Sequence, residues 1–313
     1  QEARRQRQMC IRDRIYRNKG GGVFEVVNNA LGTDINPTTS VAWGDMDGDG
    51  DLDVLAGNWL AQNKIHRNDG GGTFKSVDNA LGADADSTIS IAWGDMDGDG
   101  DLDVLAGNRP IFNSQLNVYE GGQNKIYRNE GGGVFEVVDN ALGNDADHTY
   151  SIAWGDMDGD GDLDVLVGNE PIYNEFGELE GGQNKIYRNE GGVLEAIDNA
   201  HGDDAYQTLS IGWGDMDGDG DLDVLVGNRR QNKIYRNEGG GVFEAVNNAL
   251  GYDADSTWGI AWGDMDGDGD LDVLVGNHGQ QNKIYRNEGG GVFENLGNAL
   301  GYDADTTRSI AWG

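Results

Sequence analysis

A chain of 313 residues with 56 acidic and 22 basic side chains carries a net charge of −34, a sign that repels phosphate backbones and excludes nucleic acid as a partner. Its 53 glycines against three prolines call for many tight turns rather than long helices, and no apolar run approaches the ~18 residues of a membrane-spanning helix. Cys10 is the only cysteine, so an internal disulfide is ruled out.

Residues 1–14 hold Arg4, Arg5, Arg7, Arg12 and Arg14 and match no later part of the chain. They are set apart as a non-native or disordered segment, and residues 15–313 are read as one domain. From there the chain repeats itself. The tryptophan of an Ala-Trp-Gly or Gly-Trp-Gly motif falls at Trp43, Trp93, Trp154, Trp213, Trp262 and Trp312, at intervals of 50, 61, 59, 49 and 50 residues. Five full units run head to tail, with half a unit at each end. Both long intervals arise in one connection, which has three residues after Asn58 but fourteen after Asn108 and thirteen after Asn169.

Each unit reads as four short strands. In the second unit these are residues 90–94, 102–106, 125–129 and 134–138, each β-branched or aromatic and bounded by Gly, Asn or Asp. Four strands in roughly 50 residues predict a propeller blade, and the fold class is therefore all-β. The expectation is five complete blades plus an incomplete sixth shared by the termini. Residues 14–28 would supply its third and fourth strands and residues 308–313 its first, with no second strand and no sixth acidic loop. A solenoid is the alternative, but its repeats are usually shorter, and the Gly-Gly-x-Gly-x-Asp pattern of its metal-binding form is absent.

Between the first and second strands the motif Asp-Met-Asp-Gly-Asp-Gly-Asp-Leu-Asp occurs five times. Its carboxylates are Asp45, Asp47, Asp49, Asp51 and Asp53; Asp95, Asp97, Asp99, Asp101 and Asp103; Asp156, Asp158, Asp160, Asp162 and Asp164; Asp215, Asp217, Asp219, Asp221 and Asp223; and Asp264, Asp266, Asp268, Asp270 and Asp272. In a tight turn, positions one, three and five converge on one point, and glycine at position six lets the chain curl. Position seven can offer its backbone carbonyl, and the Asp at position nine closes the shell. Hard oxygen ligands in a flexible loop suit Ca²⁺, which predicts about five ions, one per complete blade. An EF-hand is excluded, because position twelve is Ala56, Ala106, Val167, Val226 or Val275 where that motif needs Glu. An ion-free acidic turn is the competing reading, and it leaves five carboxylates within nine residues repelling one another.

This loop, followed by Leu-Asp-Val-Leu-Val-Gly-Asn, resembles the FG-GAP/VCBS repeat family, which includes the calcium-binding blades of integrin α-subunit propellers. The run Asn-Lys-Ile-Tyr-Arg-Asn-Glu-Gly-Gly-Gly-Val-Phe-Glu is similar to the variety found in bacterial secreted proteins and cartilage acidic protein. The resemblance spans residues 15–313. It implies metal ligation by positions one, three, five, seven (through backbone) and nine. Because family propellers commonly have seven blades, it also implies a fragment of a larger propeller.

The acidic loops all fall on one face of such a disc. The connections between second and third strands, and between blades, fall on the other, where the two long insertions and the Asp-Ala-Asp segments around Asp84, Asp145, Asp253 and Asp303 lie. Trp59, Arg109, Phe112, Tyr119, Tyr173, Phe176, Arg229, Arg230, Trp258 and His278 are its candidate contacts for a protein or glycan ligand. The motif tryptophans are instead expected in the packing between blades. His66, His148, His201 and His278 occupy unrelated repeat positions, and no nucleophile elbow, phosphate loop or zinc spacing is present, so no enzyme is expected. The leading expectation is a calcium-binding adhesion or ligand-binding scaffold, secreted or at a cell surface. A lectin, with Trp59 and Tyr173 stacking on sugar rings, and an accessory propeller of a larger secreted enzyme are the alternatives.

Overall fold

Short β-branched runs punctuated by Gly, Asn and Asp leave the chain little choice but hairpins, and the computed structural model consists of strands and turns. It describes residues 13–28, 30–32, 36–116, 118–144, 147–173, 179–197, 207–252 and 255–312; most of the arginine-rich segment lies outside these. A hairpin of β1 (Ile15–Asn18) and β2 (Phe24–Val27) comes first. The first blade is β3 (Thr38–Gly44), β4 (Asp53–Asn58), β5 (Lys64–Asn68) and β6 (Phe74–Val77). The second is β7 (Thr88–Gly94), β8 (Asp103–Asn108), β11 (Lys125–Asn129) and β12 (Phe135–Val138), with an inserted hairpin of β9 (Ile111–Asn113) and β10 (Val118–Glu120). The third is β13 (His148–Gly155), β14 (Asp164–Glu170), β17 (Lys185–Glu190) and β18 (Val193–Ala196), with an inserted β15 (Ile172–Tyr173) and β16 (Leu179–Glu180). The fourth is β19 (Thr208–Gly214), β20 (Asp223–Asn228), β21 (Lys233–Asn237) and β22 (Phe243–Ala245). The fifth is β23 (Thr257–Gly263), β24 (Asp272–Asn277), β25 (Lys283–Asn287) and β26 (Phe293–Asn295). All five sheets have their strands in sequence order and antiparallel, which is the propeller blade expected from the repeats.

The second strand is buried at every position in every blade, because it is central in its sheet and covered on both faces. That explains a run, Asp-Val-Leu-Val-Gly-Asn, that lacks alternation. The core lies between blades: Met46, Leu55 and Ile65 of the first pack with Ile91, Val104 and Tyr127 of the second, and three further clusters repeat the pattern. The motif tryptophans after the first, Trp93, Trp154, Trp213, Trp262 and Trp312, each sit on the glycine that ends the preceding blade's first strand. A Cβ on Gly94 or Gly155 would lie 2.5 Å from the Trp154 or Trp213 ring, so only glycine admits the contact.

The first blade lacks this cover. Trp43 is 51% exposed and Val41 57%, and Trp43 borders a cavity of about 410 Å³ shared with Ile15, Leu52 and Phe74. The β1–β2 hairpin leans on this blade through Arg17, which donates to the Gly71 carbonyl. At the other end Trp312 covers Gly263, and the Thr307 amide donates to the Asn277 carbonyl at 3.0 Å. The strand expected over 308–313 is nevertheless absent from its described residues, 308–312.

The other corrections are small. The first strand starts at Thr88 rather than at residue 90, and the second runs on to Asn108. Val134 belongs to the turn, where its amide donates to the Gly131 carbonyl. In all five blades the first strand also bulges one residue after its threonine. The bulged residues are Thr39, Ile89, Tyr150, Leu209 and Trp258. A bulge re-aims a side chain without breaking the ladder, and here it does so at the position that varies most from blade to blade.

Candidate metal centres

The third blade shows how the acidic loop is built. The Asp156 carboxylate accepts the Asp160 amide at 3.1 Å and the Gly161 amide at 3.1 Å, and Asp160 accepts the Asp162 amide at 2.9 Å. Gly159 and Gly161 have φ of +71° and +96°, so a Cβ at either would strain the curl. Asp164, on the first residue of β14, is fully buried: one oxygen accepts the Met157 amide at 2.7 Å and the other the Asn189 amide at 2.8 Å.

These bonds bring one oxygen each from Asp156, Asp158 and Asp164 within 4.8 Å of one another. The same three positions converge at Asp45, Asp47 and Asp53, at Asp215, Asp217 and Asp223, and at Asp264, Asp266 and Asp272; the second blade joins Asp95, Asp97 and Asp99. Positions one and three thus converge everywhere, position nine in four loops and position five in one. The position-seven carboxylate has another task, since Asp162 accepts the Gly191 amide of the turn between β17 and β18 at 2.7 Å. The side chains of Asp51, Asp101, Asp221 and Asp270 also approach that turn in their own blades, at Gly70, Gly131, Gly239 and Gly289.

One atom in each of four loops tests whether a cation fits. Oδ1 of Asp47, Asp97, Asp158 and Asp217 is buried and has no hydrogen-bond partner. A buried anionic oxygen left bare is costly, and a metal ion is a chemically sensible partner for it. Burial, followed by the neighbouring position-five charge, raises the carboxyl of Asp97, Asp158 and Asp217 above its usual range. Burial also pushes Asp103, Asp164 and Asp223 up to about 6, against the pull of their two backbone amides.

Two sets of residues here were not among the candidates from sequence. An arginine on the third strand faces position three, with Arg188 Nε 3.1 Å from Asp158 and Arg236 Nε 2.9 Å from Asp217. The asparagine at or next to the end of the third strand ties neighbouring loops together. Asn129, Asn189, Asn237 and Asn287 donate to the Met carbonyl of the preceding blade's loop at 2.9, 2.6, 2.8 and 2.7 Å, and to the Leu carbonyl of their own at 3.0–3.3 Å. Asn68 reaches only Leu52, at 3.1 Å. The signal was the recurrence of Arg-Asn at the end of every third strand.

Six stretches of the chain match the FG-GAP-like repeat, at residues 11–56, 46–106, 115–167, 177–226, 215–275 and 264–313. The chain belongs to the FG-GAP-like repeat family. Consecutive matches in three pairs overlap at an acidic loop, the element that every repeat contributes. No curated protein matches the chain.

On the other edge of the FG-GAP-like blades the residues differ from repeat to repeat. Arg109 stacks on the rings of Trp59 and Tyr150, 5.7 and 5.3 Å from their centroids, and donates to the Tyr150 hydroxyl at 2.9 Å. Burial, and then the Arg109 charge, holds His148 down at about 4, so the imidazole is neutral and accepts from Arg109 Nε at 3.4 Å. Tyr119 packs between Phe112 and His148. Arg229 pairs with Glu170 at 3.2 Å, Trp258 stacks on His278, Arg308 lies over Trp258, and Arg230 is exposed. Asp84, Asp147 and Asp255 are neutralised by Lys125, Lys185 and Lys283. Phe176, Asp145 and Asp253, and the Tyr173 side chain, lie outside the described residues. Among the described residues no helix is long and apolar enough to cross a membrane.

Proposed function

We propose that this chain is a calcium-stiffened propeller scaffold, secreted or displayed at a cell surface, which presents a ligand-binding face opposite its metal loops. The observation that carries it is the bare Oδ1 of Asp47, Asp97, Asp158 and Asp217, each of which belongs to a residue that brings a carboxylate oxygen together with those of two further Asp residues. Positions one, three and nine would hold the ion, with position five and the position-seven carbonyl completing an all-oxygen shell. Such a shell in a glycine-rich loop tolerates the six to eight ligands of Ca²⁺ better than the strict octahedron of Mg²⁺. The bound ion would supply the positive charge that lets five carboxylates share one turn.

Extracellular-type sites of about 10⁻⁴–10⁻³ M would fill outside cells, which is the basis for the location. The role is adhesive or ligand-binding, not catalytic, and a carbohydrate ligand is favoured as a second reading by the aromatic and arginine cluster around Arg109. Calorimetric titration of chelator-stripped protein tests the scaffold reading. About five calcium sites with little response to Mg²⁺ support it, and an absence of calcium uptake refutes it.

A further inference from the structure

Beside Arg109 the second blade's insertion forms an open pocket with a mixed polar and apolar lining. It lies between the return of the inserted hairpin, Glu120 to Gly122, the strand extension from Arg109 to Asn113, and residues 85–87 of the interblade connection. Its volume is about 380 Å³, enough for one or two sugar rings.

Two features of this wall point to a missing ligand. Ser87 is 2% exposed, and its hydroxyl has no hydrogen-bond partner. Arg109 is half-buried and held on two aromatic faces, yet among the described residues it pairs with no carboxylate. In a chain with 56 acidic side chains that is unusual, and the nearby Arg229 has Glu170. Nε and one terminal nitrogen of Arg109 are used by His148 and Tyr150, which leaves the other terminal nitrogen free to donate. A guanidinium fixed in this way is preorganised to donate from that nitrogen to an anion.

The rest of the wall narrows the anion's chemistry. Asp86, already held by Lys125, and Glu120, held by Asn113, are acceptors that welcome hydroxyl hydrogens and repel a second negative charge. Ile111 adds an apolar patch. One carboxylate for Arg109, hydroxyls for Ser87, Asp86 and Glu120, and one apolar ring face describe a single uronic-acid residue. An acidic peptide fits less well, because its carbonyls and further carboxylates would face Asp86 and Glu120.

We infer that the cavity between Arg109, Ser87 and Glu120 binds a uronic-acid residue through its carboxylate and ring hydroxyls. The inference rests on reading the edge opposite the metal loops as the ligand face. Monomeric galacturonate and glucuronate, their methyl esters, the neutral sugars and N-acetyl-aspartate amide are titrated into calcium-loaded protein and followed by ligand-observed NMR. The expected result is binding of at least one uronate, at least tenfold weaker for its ester and neutral counterpart. Arg109→Gln should abolish that preference, and Ser87→Ala should weaken binding severalfold. Equal binding of acid and ester, no binding of either uronate, or stronger binding of the aspartate probe each overturns the proposal. The comparison of acid with ester uses unaltered protein, so it decides even where a variant fails to fold. The calcium titration is scored separately: five sites without uronate binding reject this inference alone, and no calcium uptake rejects the scaffold reading.

Discussion

The two edges of the blades follow opposite rules. On the acidic-loop edge every repeat carries the same nine residues, held by closely similar backbone bonds, because each must bring several carboxylates to one point. On the other edge the residue after the second strand's asparagine is Trp59, Arg109, Glu170, Arg229 or His278, and the bulged residue of the first strand varies as freely. Uniformity marks the edge where folding is difficult, and variation marks the edge where folding constrains little. Stability should therefore respond to the first edge and recognition to the second.

Metal removal should have the largest effect. An ion that binds only the folded state adds RT ln(1 + [L]/Kd), about 1.4 kcal/mol per site at tenfold saturation and about 7 kcal/mol at most for the five acidic clusters. Melting in calcium and in chelator measures it, and an unchanged Tm would erase the contrast between the edges.

Proton competition sharpens the same contrast. Asp103, Asp164 and Asp223 are raised to about 6 in the fold against 3.8 for an ordinary Asp. The folded, metal-free protein therefore binds these protons more tightly than the unfolded chain does. Their stabilising contribution is full below about pH 4 and is lost as pH rises through about 6. Lowering pH from 7 to 5 should raise the Tm in chelator and weaken calcium binding, so that the gap between the two melting curves closes. A gap that widens toward pH 5 would contradict the burial of these groups.

Asp156→Ala should cost one site out of five, together with the two backbone bonds that Asp156 accepts, or about 2–4 kcal/mol in calcium. Calorimetry counts the sites, and an undiminished count would remove position one from the ligand set. Asn189→Ala comes next, at about 1–3 kcal/mol, since it leaves the Met96 and Leu163 carbonyls without their side-chain donor. Asn68→Ala should cost less, because the Asn68 amide nitrogen donates to Leu52 alone and to no loop of another blade. Equal losses at the two asparagines would show that the bond between loops contributes nothing.

The repeats, the four strands and the acidic loop were legible because each depends on residues close in sequence. Trp93, Trp154 and Trp213 recur at blade spacing and pack between blades as expected. What was missed depends on neighbours far along the chain. Asn189 reads as an ordinary strand end until Met96, 93 residues away, is placed against it. The inserted hairpin of β9 and β10 has three-residue strands, too short for alternation to register. Residues 308–312 carry a first-strand sequence without a strand, because a strand is made by the pairing of two segments and no described segment pairs with them. Position seven was assigned to the ion, and Asp162 shows that its carboxylate also braces a turn.

The smallest effect is expected at Phe112, and it tests the second half of the comparison. Phe112 is 49% exposed on the inserted β9 and touches Tyr119 but none of the four core clusters. Exposed positions of this kind change stability by about 0.5 kcal/mol or less when substituted. Phe112→Ser should therefore leave the Tm within about 1–2 °C and the calcium count unchanged, since a domain of this size shifts by about 2–4 °C per kcal/mol. It would remove a ring from the edge that carries Arg109, so any ligand of that edge should bind it more weakly. A Tm loss comparable to that of Asn189→Ala would mean that the inserted hairpin supports the propeller, and that variability on this edge does not mark freedom from folding.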